Sequence, residues 1–87
     1  MKNRDRTVIS WEILKALAAG PQNPTRLARR ANIPYNRLDE YLGHLKSAGL
    51  VRAEIAEGHE LYFITPAGMS ALGHLDEGLK MLFPLFR

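Results

Sequence analysis

The chain has 87 residues, room for one small domain, and its 46% apolar and 24% charged residues are close to globular averages. It contains no cysteine, which excludes disulfide scaffolds, thiolate zinc sites and cysteine nucleophiles. The net charge of +3 is unevenly spread: residues 1–52 hold ten Lys/Arg against four Asp/Glu, and residues 53–87 hold two against five. The first half is the part expected to seek a polyanion. No apolar run approaches the length of a membrane span, and the basic start Met1-Lys2-Asn3-Arg4-Asp5-Arg6 lacks the apolar core of a signal peptide. A cytoplasmic protein with no membrane partner is expected.

The first predicted element is a helix over 6–19. Val8, Ile9, Ile13, Leu14 and Leu17 recur at helical spacing with Trp11 beside them, and Gly20-Pro21 stops the segment. A short second helix is predicted over 24–31. Asn23 can accept from its free backbone N–H groups, and Pro24 fits a first turn that needs no N–H. Leu27 and Ala28 face inward, and Asn32-Ile33 makes a tight connection. A third helix follows over 34–48 and is ended by Gly49. Leu38, Tyr41, Leu42 and Leu45 form its buried stripe. At 100° per residue the opposite face carries Asn36, Arg37, Glu40, Gly43, His44 and Ser47.

After Gly49 the apolar period becomes strand-like. Residues 50–55 and 60–64 are candidate strands, with Glu57-Gly58-His59 turning between them. Thr65-Pro66, again a capping residue before a proline, opens a last helix reaching about residue 83, where Pro84 breaks it. The fold class is mainly α with a small β-hairpin (α+β). A short helix joined tightly to a longer one is the helix-turn-helix geometry, and the hairpin after it is a wing. The expected organisation is a winged helix-turn-helix over 1–65 and an additional C-terminal helix in 66–87.

Catalysis finds no support. His44, His59 and His74 lack metal-ligand spacing, there is no glycine-rich phosphate loop, and no Ser/His/Asp grouping can be placed on one site. The expectation is a protein that is not an enzyme and uses no metal and no cofactor.

The segments ISWEILKALAAGPQNPTRLARRANIPYNRLDEYLGHLKSAGLVRAE and LYFITPAGMSAL carry a resemblance. Its most telling pieces are Tyr35 opening the third helix, Leu38-x-x-Tyr41-Leu42, Gly49-Leu50-Val51 and Tyr62-x-Ile64-Thr65-x-x-Gly68. The chain resembles archaeal winged helix-turn-helix transcriptional regulators and the small dimeric archaeal chromatin proteins built on the same domain, over about residues 7–72. Pro34 departs from the pattern, since such proteins often place a serine cap there. The resemblance implies binding of double-stranded DNA, with helix 34–48 in the major groove, and a nucleoid-associated location.

On that reading Asn36, Arg37, Glu40 and His44 are the candidate base contacts. Asparagine can bond bidentately to adenine, arginine to guanine, and a carboxylate can accept from cytosine. The alternative for each is an ordinary solvated side chain, with Glu40 and His44 as a weak i,i+4 pair. Thr25, Arg26, Arg29, Arg30, Tyr35 and Arg52 are candidate backbone contacts, which position without reading sequence. The wing is expected to contribute little, because Glu54, Glu57 and Glu60 outweigh Arg52 and His59. Leu72, Leu75, Leu79 and Leu82 recur at steps of three, four and three, the spacing of a helix–helix seam. With Phe83 and Phe86 they are the candidate homodimer interface. Three functions stay open: a sequence-reading regulator, an architectural coater of low specificity, and a winged-helix module that binds protein.

Overall fold

The structure is a computed structural model that describes residues 6–82. Its elements are α1 (Arg6–Ala18), α2 (Pro24–Ala31), α3 (Tyr35–Ser47), β1 (Val51–Ala56), β2 (His59–Ile64) and α4 (Pro66–Leu82). This is the predicted order of three helices, a hairpin and a helix.

Helix α1 lies at the centre. Ile9, Trp11, Ile13, Leu14, Ala16 and Leu17 are buried, so apolar residues occupy far more than one stripe. A helix buried on several sides is expected to be apolar around most of its circumference. Helices α2, α3 and α4 and strand β2 all pack on it.

Local chemistry sets the boundaries. The Asn23 side chain accepts from Arg26 N at 2.8 Å and caps α2. Asn32 closes α2 in the left-handed conformation, φ 58°, and its N–H reaches the Ala28 and Arg29 carbonyls. Asparagine adopts this region more readily than most residues. Ile33 then drops into the core, and the chain turns at once into α3. Pro34 offers α3 no side-chain cap. Leu38, Tyr41, Leu42 and Leu45 bury the predicted stripe, and Gly49, φ 77°, ends the helix.

Two features of the sheet differ from the sequence reading. Ala56 pairs with His59, so the turn is the two residues Glu57 and Gly58, and His59 is the first residue of β2. Both turn residues have positive φ, 53° and 79°, as a type I′ turn requires. The second difference is a third, one-residue strand. Gln22 pairs antiparallel with Tyr62, its N–H reaching the Tyr62 carbonyl at 3.2 Å and its carbonyl accepting from Tyr62 N at 2.9 Å. Gln22 is buried, and its side-chain amide donates to the Gly20 carbonyl at 3.2 Å. A single bridging residue has no alternation to read in the sequence.

Helix α4 is integrated with the rest. Leu72 and Leu79 belong to the same core as α1 and α3, and the Trp11 indole N–H donates to Asp76 at 2.6 Å. Thr65 is the joint. Its hydroxyl donates to the Gly49 carbonyl at 2.7 Å and accepts from Gly68 N at 3.0 Å, and its own N–H reaches the Leu50 carbonyl at 3.1 Å. The end of α3, the start of the wing and the start of α4 thus meet at one residue. They meet so closely that a Cβ on Gly68 would clash with the Leu50 carbonyl oxygen and lie 2.6 Å from Ile64 Cγ1.

Gly68→Ala should therefore destabilise the fold by ~1–3 kcal/mol, because backbone must shift to admit one methyl. Urea unfolding measures this. An unchanged midpoint would mean that α4 sits farther from the wing.

Candidate nucleic-acid interface

The exposed side of α3 is built from the residues its core stripe leaves over. Asn36, Glu40, Gly43, His44 and Ser47 are all exposed. Arg37 is exposed as well, but it stands on the flank beside Tyr41 rather than opposite the core. Its Nη2 donates to the Tyr41 hydroxyl at 3.2 Å, and the guanidinium lies 5.7 Å from the ring centroid. Tyr35 is 61% exposed at the start of the helix. That exposure excludes packing of its ring beneath α3. Thr25, Arg26, Arg29 and Arg30 are exposed on the adjoining α2.

The inner flank of α3 meets the wing through Tyr62. The Tyr62 ring is buried, with Lys46 Nζ 5.9 Å from its centroid. Burial pushes the Tyr62 phenol up to about 12; its hydrogen bond to Glu60 and the negative charges of Glu60 and Asp39 act in the same direction. Lys46 was not foreseen as part of this contact, because nothing in the spacing of α3 places it against a strand.

The wing itself is poorly suited to a polyanion. Arg52 pairs with Glu54 on its own strand, and its guanidinium stacks 4.3 Å from the Phe63 centroid. The guanidinium predicted to reach a phosphate is already engaged by a carboxylate. Glu54 and Glu57 are exposed around it, and Ile55 is 72% exposed near the tip.

The predicted leucine seam is divided. Leu72 and Leu79 are buried in the chain's own core, Leu75 is half-buried and Leu82 is 72% exposed. The correction has a simple geometric cause. Leu72 and Leu79, seven residues apart, share one line of the helix, and α1 already covers it. What the core covers only in part is the neighbouring line Ala71, Leu75, Gly78 and Leu82, at steps of four, three and four, of which Leu82 is exposed and the others half-buried. Phe83 and Phe86 lie outside the described residues. Ala71 and Leu75 of this line also border an open groove of about 470 Å³ between α1, the end of α3 and α4, lined with them by Leu14, Leu45 and Leu50.

Among the described residues, no group of three or more His, Asp or Glu is placed to hold a metal ion. Nor, among them, is any helix long and apolar enough to cross a membrane.

This arrangement of a tight helix pair, a hairpin and a closing helix defines a winged helix-turn-helix domain. Residues 3–82 match the winged helix-turn-helix family, and the chain belongs to it. Among solved structures it is similar to Sso10a-2, a DNA-binding protein from Sulfolobus solfataricus. The TM-score is 0.85 at 26% identity, over 94% of this chain and 85% of that one. It is also similar to the homodimeric winged helix-turn-helix DNA-binding domain Mb0332 from Mycobacterium bovis, at TM-score 0.68 and 27% identity, over 84% of this chain and 72% of that one. A curated relative, the uncharacterized protein MJ0290 of Methanocaldococcus jannaschii, is 28% identical over 81 residues, 93% of this chain. The chain spans only 36% of that relative's length.

Two measurements follow from the geometry. The Tyr62 phenol is neutral in the fold, whereas in the unfolded chain it ionises near its ordinary value of about 10. Its contribution is complete below that pH and is lost as pH rises through about 12. Between pH 8 and 11 the parent should lose more melting temperature than Tyr62→Phe; equal losses would refute the raised value. Among the described residues, Gly43 meets nothing within 4 Å if given a Cβ, so none of them requires a glycine there. Gly43→Ala should raise stability by ~1 kcal/mol through helix propensity alone, and a lower denaturation midpoint would contradict the open surface.

Proposed function

We propose that this chain is a double-stranded DNA-binding regulator that reads sequence with α3 in the major groove. The observation that carries the reading is the free face of α3. Asn36, Glu40 and His44 are exposed hydrogen-bonding groups on a helix narrow enough for the groove, and the arginines of α2 are exposed beside it. The similarity to Sso10a-2, which binds DNA, supports it.

The choice of regulator over coater rests on Glu40. A carboxylate in the middle of a DNA-facing surface costs affinity on every sequence unless it accepts from a base. An architectural coater gains from phosphate neutralisation alone and has no use for it. The paired Arg52 and the acidic wing leave readout to the helices. Arg26, Arg29 and Arg30 supply the phosphate contacts, aided by Thr25 and Tyr35. Binding to a nucleoid would place the protein in the cytoplasm.

Selection of duplex sites from a random library, at stated salt, tests this reading. A regulator enriches a half-site. A coater binds without enrichment, and a protein-interaction module does not bind at micromolar concentration. Arg29→Ala should weaken all duplexes alike and lower the slope of log affinity against log salt by about one. Arg37→Ala should instead cost ~1–3 kcal/mol on the selected site and relax one base position. An altered motif with an unchanged salt slope for Arg29→Ala would exclude a phosphate role.

The chain is further proposed to form a homodimer through α4, using the partly exposed line Ala71, Leu75, Gly78 and Leu82. Met81, 80% exposed, extends this apolar end of the helix. The homodimeric state of Mb0332 supports a dimer. Two-fold pairing would offer two α3 helices to successive major grooves if they stand ~34 Å apart. Leu79 is a poor probe, because an aspartate there would unfold the domain. Met81→Asp/Leu82→Asp, at two exposed positions, should give a folded monomer by sedimentation equilibrium at tens of micromolar, where the parent is a dimer. A double variant that still dimerises fully would refute this interface.

A further inference from the structure

Arg37 and Tyr41 make a pair whose geometry goes beyond surface decoration. Tyr41 is only 5% exposed, and its ring is part of the core stripe of α3. Packing therefore fixes where its hydroxyl stands. A phenylalanine would fill the same core volume, so the hydroxyl is the part of the side chain that the core does not use. That hydroxyl accepts from Arg37 Nη2 at 3.2 Å, one helical turn away, while the guanidinium lies 5.7 Å from the ring centroid. One polar contact and one cation–π contact thus hold a residue that is otherwise solvent-exposed.

Arginine loses much rotamer freedom when it is ordered on binding, and a side chain already held in place loses less. A guanidinium has five N–H donors in a planar fork. Tyr41 takes one of them and leaves enough for two parallel bonds to the O6 and N7 of guanine. Because Arg37 stands on the flank of α3, its direction of approach is not fixed by its helix position alone. The fixed hydroxyl supplies that direction.

We infer that Tyr41 is a positioning residue for base recognition: its buried ring sets its hydroxyl, the hydroxyl sets the Arg37 fork, and the fork reads one base. This inference rests on the DNA-binding reading above. It adds a residue that the spacing of α3 assigned to the core alone.

The test selects duplex sites with the parent chain, Tyr41→Phe, Arg37→Ala and the double variant, and measures their melting temperatures. Tyr41→Phe should melt with the parent and flatten the same base position that Arg37→Ala flattens. Its discrimination at that position should fall roughly threefold to tenfold, the scale of ordering one long side chain. The double variant should read DNA no worse than Arg37→Ala, because the hydroxyl acts only through the arginine. A purely structural role for Tyr41 would lower the melting temperature and weaken all duplexes equally. Tyr41→Leu, which also removes the hydroxyl but fills the core differently, guards against a folding defect peculiar to Phe. A parent that enriches a motif which Tyr41→Phe leaves unchanged overturns this inference alone. A parent that binds without enriching any motif overturns it together with the sequence-reading function, and a parent that binds no duplex removes DNA binding as well.

Discussion

Every helix of this domain leans on α1. Six of its thirteen residues are buried, and they face α2, α3, α4 and the wing. A small domain has little interior to share, and here one helix supplies most of it. The cost is that α1 keeps only a narrow polar edge, where Lys15 lies 3.7 Å from the Trp11 centroid and 3.6 Å from Glu12. The return is rigidity in what it supports. With α1 as a common floor, α2 and α3 hold one fixed relation, and α3 can present its outer face without using any of it for packing.

The second constraint is the junction at Thr65. Its hydroxyl and backbone N–H tie Gly49 and Leu50 to the first turn of α4, and Gly68 lets the two segments touch. Any movement of α4 is therefore felt at the end of α3. In a dimer paired through α4, the spacing of two recognition helices would be transmitted across this joint rather than through a flexible linker. The Trp11–Asp76 bond braces α4 farther along its length.

Charge divides the molecule in the same way. The arginines of α2 and Arg37 are outward, whereas Arg52 is paired with Glu54 and lies against Phe63 within the wing. Positive potential is thus concentrated on the helices. A winged helix with a basic wing grips at two places; on the proposed DNA-binding reading, contact here would concentrate on α2 and α3, and orientation on a duplex would depend on those two helices and on any two-fold partner.

The sequence alone determined the element order, the caps at Asn23 and Thr65, the break at Gly49 and the buried stripe of α3. Each of these follows from local rules: a side-chain oxygen beside free N–H groups, a glycine at positive φ, or an apolar period of one helical turn. It also determined which residues of α3 are left over for a ligand, since exposure is the complement of the stripe. Only the tertiary structure decided the rest. The Gln22–Tyr62 bridge joins segments forty residues apart, and no period announces it. The leucines of α4 look alike in sequence, yet α1 takes Leu72 and Leu79 and leaves Leu82 outside, because the covered line depends on where the neighbouring helix lies. Tyr41 reads as core by its spacing and is core by its ring. That its hydroxyl surfaces beside Arg37 depends on how deeply α3 is seated, which packing of the whole domain fixes and no local pattern encodes.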